Sequence, residues 1–381
     1  MLSLKDILST YWLRVQHELL PWLDEALGPL GPRHVQLVGV LGLARIEALV
    51  PSCSGLVGRP PSERAALARA FVAKAVFNFP TTIMLIEMLG ADKKLRQLCG
   101  WQRLGQLPSE ATFSRAFAGF AKSALPSRLH EALIKATHGD RLVCHISRDS
   151  TAIEAREKPA AKPKPPLTAK FRRGRPRRGE VRPPAPLRRI ERQVGGMSLA
   201  AMLADLPGHC DVGSKRNAQG FQESWKGYKL HIDTADGQIP ISCILTAASV
   251  HDSQAAIPLA TMTAARVVNL YDLMDSAYDV AEIKQYSRDL GHIPITDTNP
   301  RVTPGLKHEI AQEAKRRRRV GHHSAEQIRY RERTAAERVN ADLKDNHGGR
   351  TLRVRGADKV MCHLMFGILV ITALQLVRLV I

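Results

Sequence analysis

Apolar and polar positions divide the chain into two stretches of different period. Up to about residue 140 the spacing is helical. Residues 6–27 carry apolar side chains at helical intervals, and Gly28-Pro29 closes the run. Residues 64–79 are rich in alanine, a strong helix former, until Pro80 interrupts them. Pro108-Ser109-Glu110 opens another helix, in which Phe113, Phe117 and Phe120 recur at helical spacing and mark one buried stripe. Short helices around Trp101 and Ser114 suit either a helix-turn-helix in a DNA groove or plain helix packing. The stretch 1–140 is therefore expected to be an all-α domain.

From residue 141 the pattern shifts to short apolar runs broken by turns. Residues 142–147, 226–233, 239–248, 267–274 and 293–296 read as five strands, with the turn Asp236-Gly237 between the second and third. Helices fall at 253–263, 279–290 and 325–344. The order β-β-β-α-β-α-β-α implies an α/β fold, a mixed five-stranded sheet flanked by helices, over 141–381. Residues 364–377 are very apolar. About 14 residues are short of the roughly 20 that span a bilayer, so a buried core helix is expected.

Charge changes the picture most. The 56 Lys and Arg against 36 Asp and Glu leave a net +20, with a pI near 10.1. Such an excess favours a polyanion as partner. Residues 156–192 hold 14 Lys or Arg, three Glu and eight prolines, so this stretch is expected to be a basic loop or disordered insert after the first strand. Inside it, residues 172–179 (RRGRPRRG) resemble an AT-hook, whose arginines, here Arg173 and Arg175, would lie in a narrow minor groove. The other reading is a basic tether with phosphate contacts and no sequence preference. Six scattered cysteines form no C-x-x-C pair, so they argue for free thiols in a reducing cytoplasm. The first residues lack the core of a signal peptide.

Three carboxylates stand out against this background. Asp149 follows the first predicted strand in Ser147-Arg148-Asp149-Ser150-Thr151. Asp275 ends the fourth, with small residues after it. Its neighbours compete: Asp272 falls inside the apolar run, and Asp279 is expected to cap the next helix. Glu337 lies on the long helix. At about 100° per residue, Tyr330, Arg333, Glu337 and Lys344 share one face within about 60°. Ala335, Ala336, Val339 and Leu343 gather on the opposite, core side. A solvated Arg333–Glu337 pair would explain the helix alone. Three carboxylates on separate elements also offer oxygen ligands to two divalent ions, Mg²⁺ or Mn²⁺, for phosphodiester chemistry. Arg333 and Lys344 would then meet phosphates, and Tyr330 would add a hydroxyl contact or stack on a base.

With these residues the chain resembles the DDE transposases of bacterial insertion sequences. One branch carries Tyr, two residues, Arg, three residues, Glu, six residues, Lys, and Tyr330, Arg333, Glu337 and Lys344 match that spacing. RDSTAI around Asp149 and the segment ending DSAYD around Asp275 resemble the family's two upstream acid blocks. WKGYKLH (225–231) and SVHD (249–252) also look like parts of its core. Ala277 departs from the glycine usual before the tyrosine of the second block. The resemblance implies an RNase H-like catalytic domain at 141–381, with Asp149, Asp275 and Glu337 as catalytic metal ligands. It implies a helical domain, 1–140, that binds DNA ends or dimerises. The partners would be double-stranded DNA, as terminal inverted repeats and target, and a second copy on that DNA. The setting would be the bacterial cytoplasm and nucleoid. The basic run 315–319 (KRRRR) would bind backbone or be a solvated loop, and His231 and His251 would lie near the site or be buried and hydrogen-bonded. Two other functions suit the same residues: an RNase H-like nuclease without strand transfer, and a basic DNA-binding regulator with an inactive core.

Overall fold

The computed structural model describes residues 3–50, 63–139, 141–161, 186–216, 219–300 and 305–380. The AT-hook-like run with Arg173 and Arg175 lies outside them. Helices lead: α1 (Leu4–Arg14), α2 (Leu20–Leu27), α3 (Pro32–Ala44), α4 (Arg64–Val76), α5 (Thr82–Ala91), α6 (Lys93–Cys99), α7 (Glu110–Lys122) and α8 (Leu125–His138). The aromatic stripe is buried as its spacing predicts. Phe113, Phe117 and Phe120 of α7 surround Phe71 of α4, with ring centroids 4.9 to 6.2 Å from it. Trp101 is buried against Phe113. Residues 100–109 join α6 to α7, a longer connection than the three- or four-residue turn of a helix-turn-helix.

A mixed sheet follows. Its strands are β1 (Leu142–Glu154), β2 (Asp211–Arg216), β3 (Gln222–Ala235), β4 (Ile239–Ala247), β5 (Val268–Met274) and β6 (Ile293–Thr296). Helices α9 (Arg189–Val194) and α10 (Leu199–Asp205) precede β2, α11 (Ser253–Ala264) precedes β5, and α12 (Ala281–Asp289) precedes β6. The central order is β4-β3-β1-β5-β6, antiparallel from β4 to β1 and parallel from β1 to β6.

The sheet departs from the sequence expectation in two respects. The sheet has six strands, not five. β2 (DVGSKR) was missed because most of its residues are exposed and polar, leaving little apolar alternation to read. β1 also runs to Glu154, so Asp149 lies inside the strand and not after it. The polar run 149–151 stays extended because β3 pairs with it throughout, from Ile146↔Ala235 to Glu154↔Gly227. At that last pair Gly227 has φ +151°, and a Cβ there would strike the Ile153 carbonyl. Only glycine suits so close a backbone approach.

The chain ends in α13 (Leu306–Val320), α14 (Ala325–Tyr330), α15 (Thr334–Asn346) and α16 (Ala357–Arg378). The single helix expected over 325–344 is broken by a 3₁₀ turn, Arg331–Arg333. The basic run 315–319 is helical, on α13, and not a loop. That helix buries none of its residues, so it carries no apolar stripe for periodicity to detect. Asp279 does not cap α12, whose N-cap is Val280; it instead pairs with Lys284 and accepts from the Asn299 amide.

α16 is the buried helix expected from its composition. Phe366 stacks on Phe71 at 5.8 Å. Further along α16, Leu369, Val370 and Ala373 belong to one apolar cluster with Leu67 of α4, Leu129 of α8 and Ile241 of β4. Each such buried Leu, Val, Ile or Phe side chain contributes about 1.5–3 kcal/mol. The helical region and the sheet thus share a continuous core, which fixes α15, the helix just before α16, over β1 and β3.

Candidate active site

The parallel register of β1 and β5 builds the first half of the site. Arg148 pairs with Met274, so the residues that follow, Asp149 within β1 and Asp275 just past the end of β5, emerge side by side. Asp275 accepts from the Ala277 amide at 2.9 Å, which holds the turn after β5. The competing Asp272 points into the core, where Asn269, Ser287 and His292 bond it.

α15 supplies the second half. Ala335, Ala336, Val339 and Leu343 are buried against the sheet, as their spacing predicts, and Glu337 faces away from them. Two bonds anchor this segment to β1: Ser147 Oγ donates to the Glu332 carbonyl at 3.0 Å, and Asn340 Nδ2 donates to Asp149 Oδ2 at 3.0 Å. The Glu337 carboxylate accepts from Arg333 at 2.6 Å.

The electrostatics tie the three acids together. Burial pushes the Asp149 carboxyl up to about 6. The charges of Asp275 and Glu337 add to this, while the Ser150 amide and Arg333 oppose it. Burial also raises Asp275, with Asp252 and Asp297 adding to the effect against the Ala277 amide and Arg333. Arg333 is therefore a cation within reach of all three carboxylates. Carboxylates from three elements, two of them raised by burial, form a donor set of hard oxygens, which suits a divalent cation.

The four residues of the helical motif separate in space. Arg333 joins the acids. Tyr330 donates to Asp297 Oδ2 at 2.7 Å, and its ring lies 5.7 Å from the Arg333 guanidinium. Lys344 is not with the acids. Seven residues on from Glu337 at ~1.5 Å each, it stands ~10 Å along the axis. Its charged neighbours are Lys215, Arg350, Glu154 and Asp345.

An 840 Å³ cleft opens beside Asp149 and Asp275. Asp252, Lys229, Trp225 and His251 also line it. Lys229 Nζ donates to Asp252 Oδ1 at 2.9 Å and to the Val250 carbonyl at 2.8 Å. His231 is buried and bonded to Thr246 at 2.9 Å. Asp252, Lys229 and Asn340 were not among the predicted site residues. WKGYKLH and SVHD held the signal for the first two. Asn340, three residues past Glu337, lies on the core side of α15, where the helical face gave no signal.

Asn340 orients the Asp149 carboxylate, so with Asp149 as an expected metal ligand its loss should be felt through metal affinity. Asn340→Leu is expected to raise the Mg²⁺ concentration needed for half-maximal cleavage by roughly ten- to a hundredfold. A Mg²⁺ titration of activity checks this; an unchanged midpoint would show that the bond is unimportant.

Two family comparisons bear on this geometry. The family described as Transposase DDE domain matches residues 144–373, and that described as Transposase domain (DUF772) matches residues 32–118. No match was found among curated proteins or among solved structures. The first match covers more than half of the chain and contains all three carboxylates. Such families use divalent metals to cut DNA and are typical of bacterial insertion sequences. With its mixed sheet, flanking helices and helical N-terminal region, the chain belongs to the DDE transposases, whose fold is RNase H-like.

Proposed function

We propose that this transposase binds the terminal inverted repeats of its own element, cleaves them and joins the released 3′ ends to target DNA. One observation carries the reading: Asp149 and Asp275 emerge together from parallel central strands, with Glu337 of α15 in electrostatic reach. In this reading Asp149, Asp275 and Glu337 hold Mg²⁺ or Mn²⁺, two ions in the complete site. Bound there, the ions supply Lewis-acid chemistry for the attacking and leaving oxygens of phosphodiester exchange.

The chain's own residues do the rest. Arg333 releases part of its hold on Glu337 to meet a phosphate, and Lys344 takes a neighbouring one. Tyr330 contacts the same strand. The motif spacing supports assignment to the branch that carries these four residues. In cleavage, water attacks the phosphodiester and the P–O3′ bond breaks, leaving a 3′ hydroxyl and a 5′ phosphate. In joining, that hydroxyl attacks a target phosphodiester, whose own P–O3′ bond breaks, so one phosphodiester replaces another and the target strand is left with a free 3′ hydroxyl. The helical region 1–140 binds the DNA ends and brings two copies together on them. The exposed cations of α13 add backbone contacts and a steep salt dependence.

A strand-transfer assay with Mg²⁺, a duplex ending in the element's own repeat and a labelled target tests the reading. Joined products are expected. Cleavage without joining would identify a nuclease, and DNA binding without cleavage would identify a regulator with an inactive core.

A further inference from the structure

A second basic feature lies away from the acids. A cleft of 600 Å³ separates α4, α5 and α7 from the segment joining α15 to α16. Lys74, Arg156, Arg353, Arg355 and Lys359 line it, against Glu110 as the lining carboxylate among the described residues. None of the five cations forms an ion pair among the described residues.

Lys74 is the most telling of them. It is 8% exposed and sits among Phe71, Phe117 and Phe366. Lys74 lines the cleft, and its ammonium has no hydrogen-bond partner among the described residues. Burial alone pulls it down to about 8, with no carboxylate near enough to offset the cost. The neighbouring His363 donates to the Gly348 carbonyl at 3.0 Å and is held neutral, down to about 4, chiefly by burial and then by Lys74. A buried, unpaired ammonium that faces an opening ringed by arginines lacks one thing, an anion.

Position identifies the anion. Arg156 lies seven residues past Asp149 on a chain that stays extended through Ala155, whose amide bonds the Lys226 carbonyl. At ~3.3 Å per residue the separation is ~23 Å. That equals about seven base pairs of duplex at ~3.4 Å each. Lys344, with Lys215 and Arg350 as its charged neighbours, has Glu154 of β1 beside it and so lies part-way along the same line.

We propose that this cleft grips the DNA backbone about seven base pairs from the scissile phosphate, with Lys74 as a buried phosphate ligand and Arg156, Arg353 and Arg355 as its rim. The proposal rests on the reading of DNA as substrate. It adds a site that the catalytic acids do not imply.

Binding of the full chain to a long terminal-repeat duplex, followed by fluorescence anisotropy across a salt series, tests it. Arg353→Ala/Arg355→Ala removes two exposed side chains and should leave the fold intact. Affinity is expected to fall about tenfold or more, and the slope of log K against log salt to shrink by about two. Lys74→Met should weaken binding too, while matching or exceeding the wild-type unfolding midpoint. Ethylation of phosphates about seven base pairs from the cleavage point should block the wild type and not the double variant. Unchanged affinity and slope in both variants would overturn the proposal, as would a wild-type chain that binds no duplex. Displacement by polyglutamate but not by duplex would overturn it in favour of an acidic protein partner. If the cleft variants bind normally while cleavage proceeds, only the cleft assignment fails. If they lose binding while the wild type never cleaves with Mg²⁺, only the transposase reading fails.

Discussion

Asp149→Asn, Asp275→Asn and Glu337→Gln are each expected to lower Mg²⁺-dependent DNA cleavage about a thousandfold or more, with DNA affinity changed only a few-fold. Each substitution keeps the shape of the side chain and removes one negative charge. A thousandfold loss corresponds to ~4 kcal/mol of transition-state stabilisation, in keeping with a missing ligand to the metals. The three should act as a unit, so a double variant should fall little below the worst single one. Single-turnover cleavage of a labelled duplex measures the loss; a variant with full activity would remove that residue from the site.

The same Asp149 variant should be more stable than the wild type when metal is absent. Asp149 titrates near 6 in the fold, above its ordinary value near 3.8, because burial and then its acidic neighbours disfavour the charge. A carboxyl raised by folding favours the folded state fully below its unfolded value, and that contribution is lost as pH rises through about 6. At neutral pH the strain amounts to the order of 3 kcal/mol. Asp149→Asn should therefore raise the metal-free unfolding free energy at pH 7 and flatten its decline between about pH 4 and 6. Chemical denaturation at several pH values reads both.

Arg148→Met should be the most damaging single change to the fold. The side chain is 2% exposed and bonds Asp233 in two places, at 2.8 and 2.7 Å. Asp233 is fully buried and also accepts from Thr263 of α11 at 2.7 Å. The pair therefore joins β1, β3 and α11 beneath the active site. Burial opposes the guanidinium charge, but Asp233 and Asp272 outweigh it and hold Arg148 protonated. Removing one partner strands the other charge, at a cost of about 3–5 kcal/mol. That is a large share of the ~5–15 kcal/mol that typically separates folded from unfolded chains. Urea unfolding should show a lower midpoint with an unchanged slope. A double variant that replaces both partners with apolar residues should recover much of the loss. If Arg148→Met alone cost less than ~1 kcal/mol, the pair would not be a support of the sheet.

The acids and the buried arginine differ in how far local sequence marks them. The solvent-facing position of Glu337 could be read directly, because a helix shows its faces at a fixed period. Asp275 could be read at a strand end, although Asp272 was separable from it only by its apolar surroundings. Asp149 was found in the right segment and given the wrong place in the strand. β1 continues through it because β3 pairs alongside, and that partner lies some 80 positions further along the chain. Arg148, one residue away, gave no sign of being a core residue. Its partner Asp233 comes from another strand.

Local pattern carried the candidates: three carboxylates on separate elements, a helix with distinct core and solvent faces, and an excess of positive charge. Period and composition act within a few residues, so they remain visible in a linear chain. Which of these groups meet depends on long-range pairing. The β1–β5 register placed Asp149 beside Asp275, and the anchoring of α15 brought Arg333 to the acids while leaving Lys344 ~10 Å along the helix. The burial of Lys74 facing Arg353 and Arg355 likewise arose from packing α4 against a segment nearly 280 positions later. Such contacts depend on strand pairing and on a shared core, and neither leaves a local pattern to read.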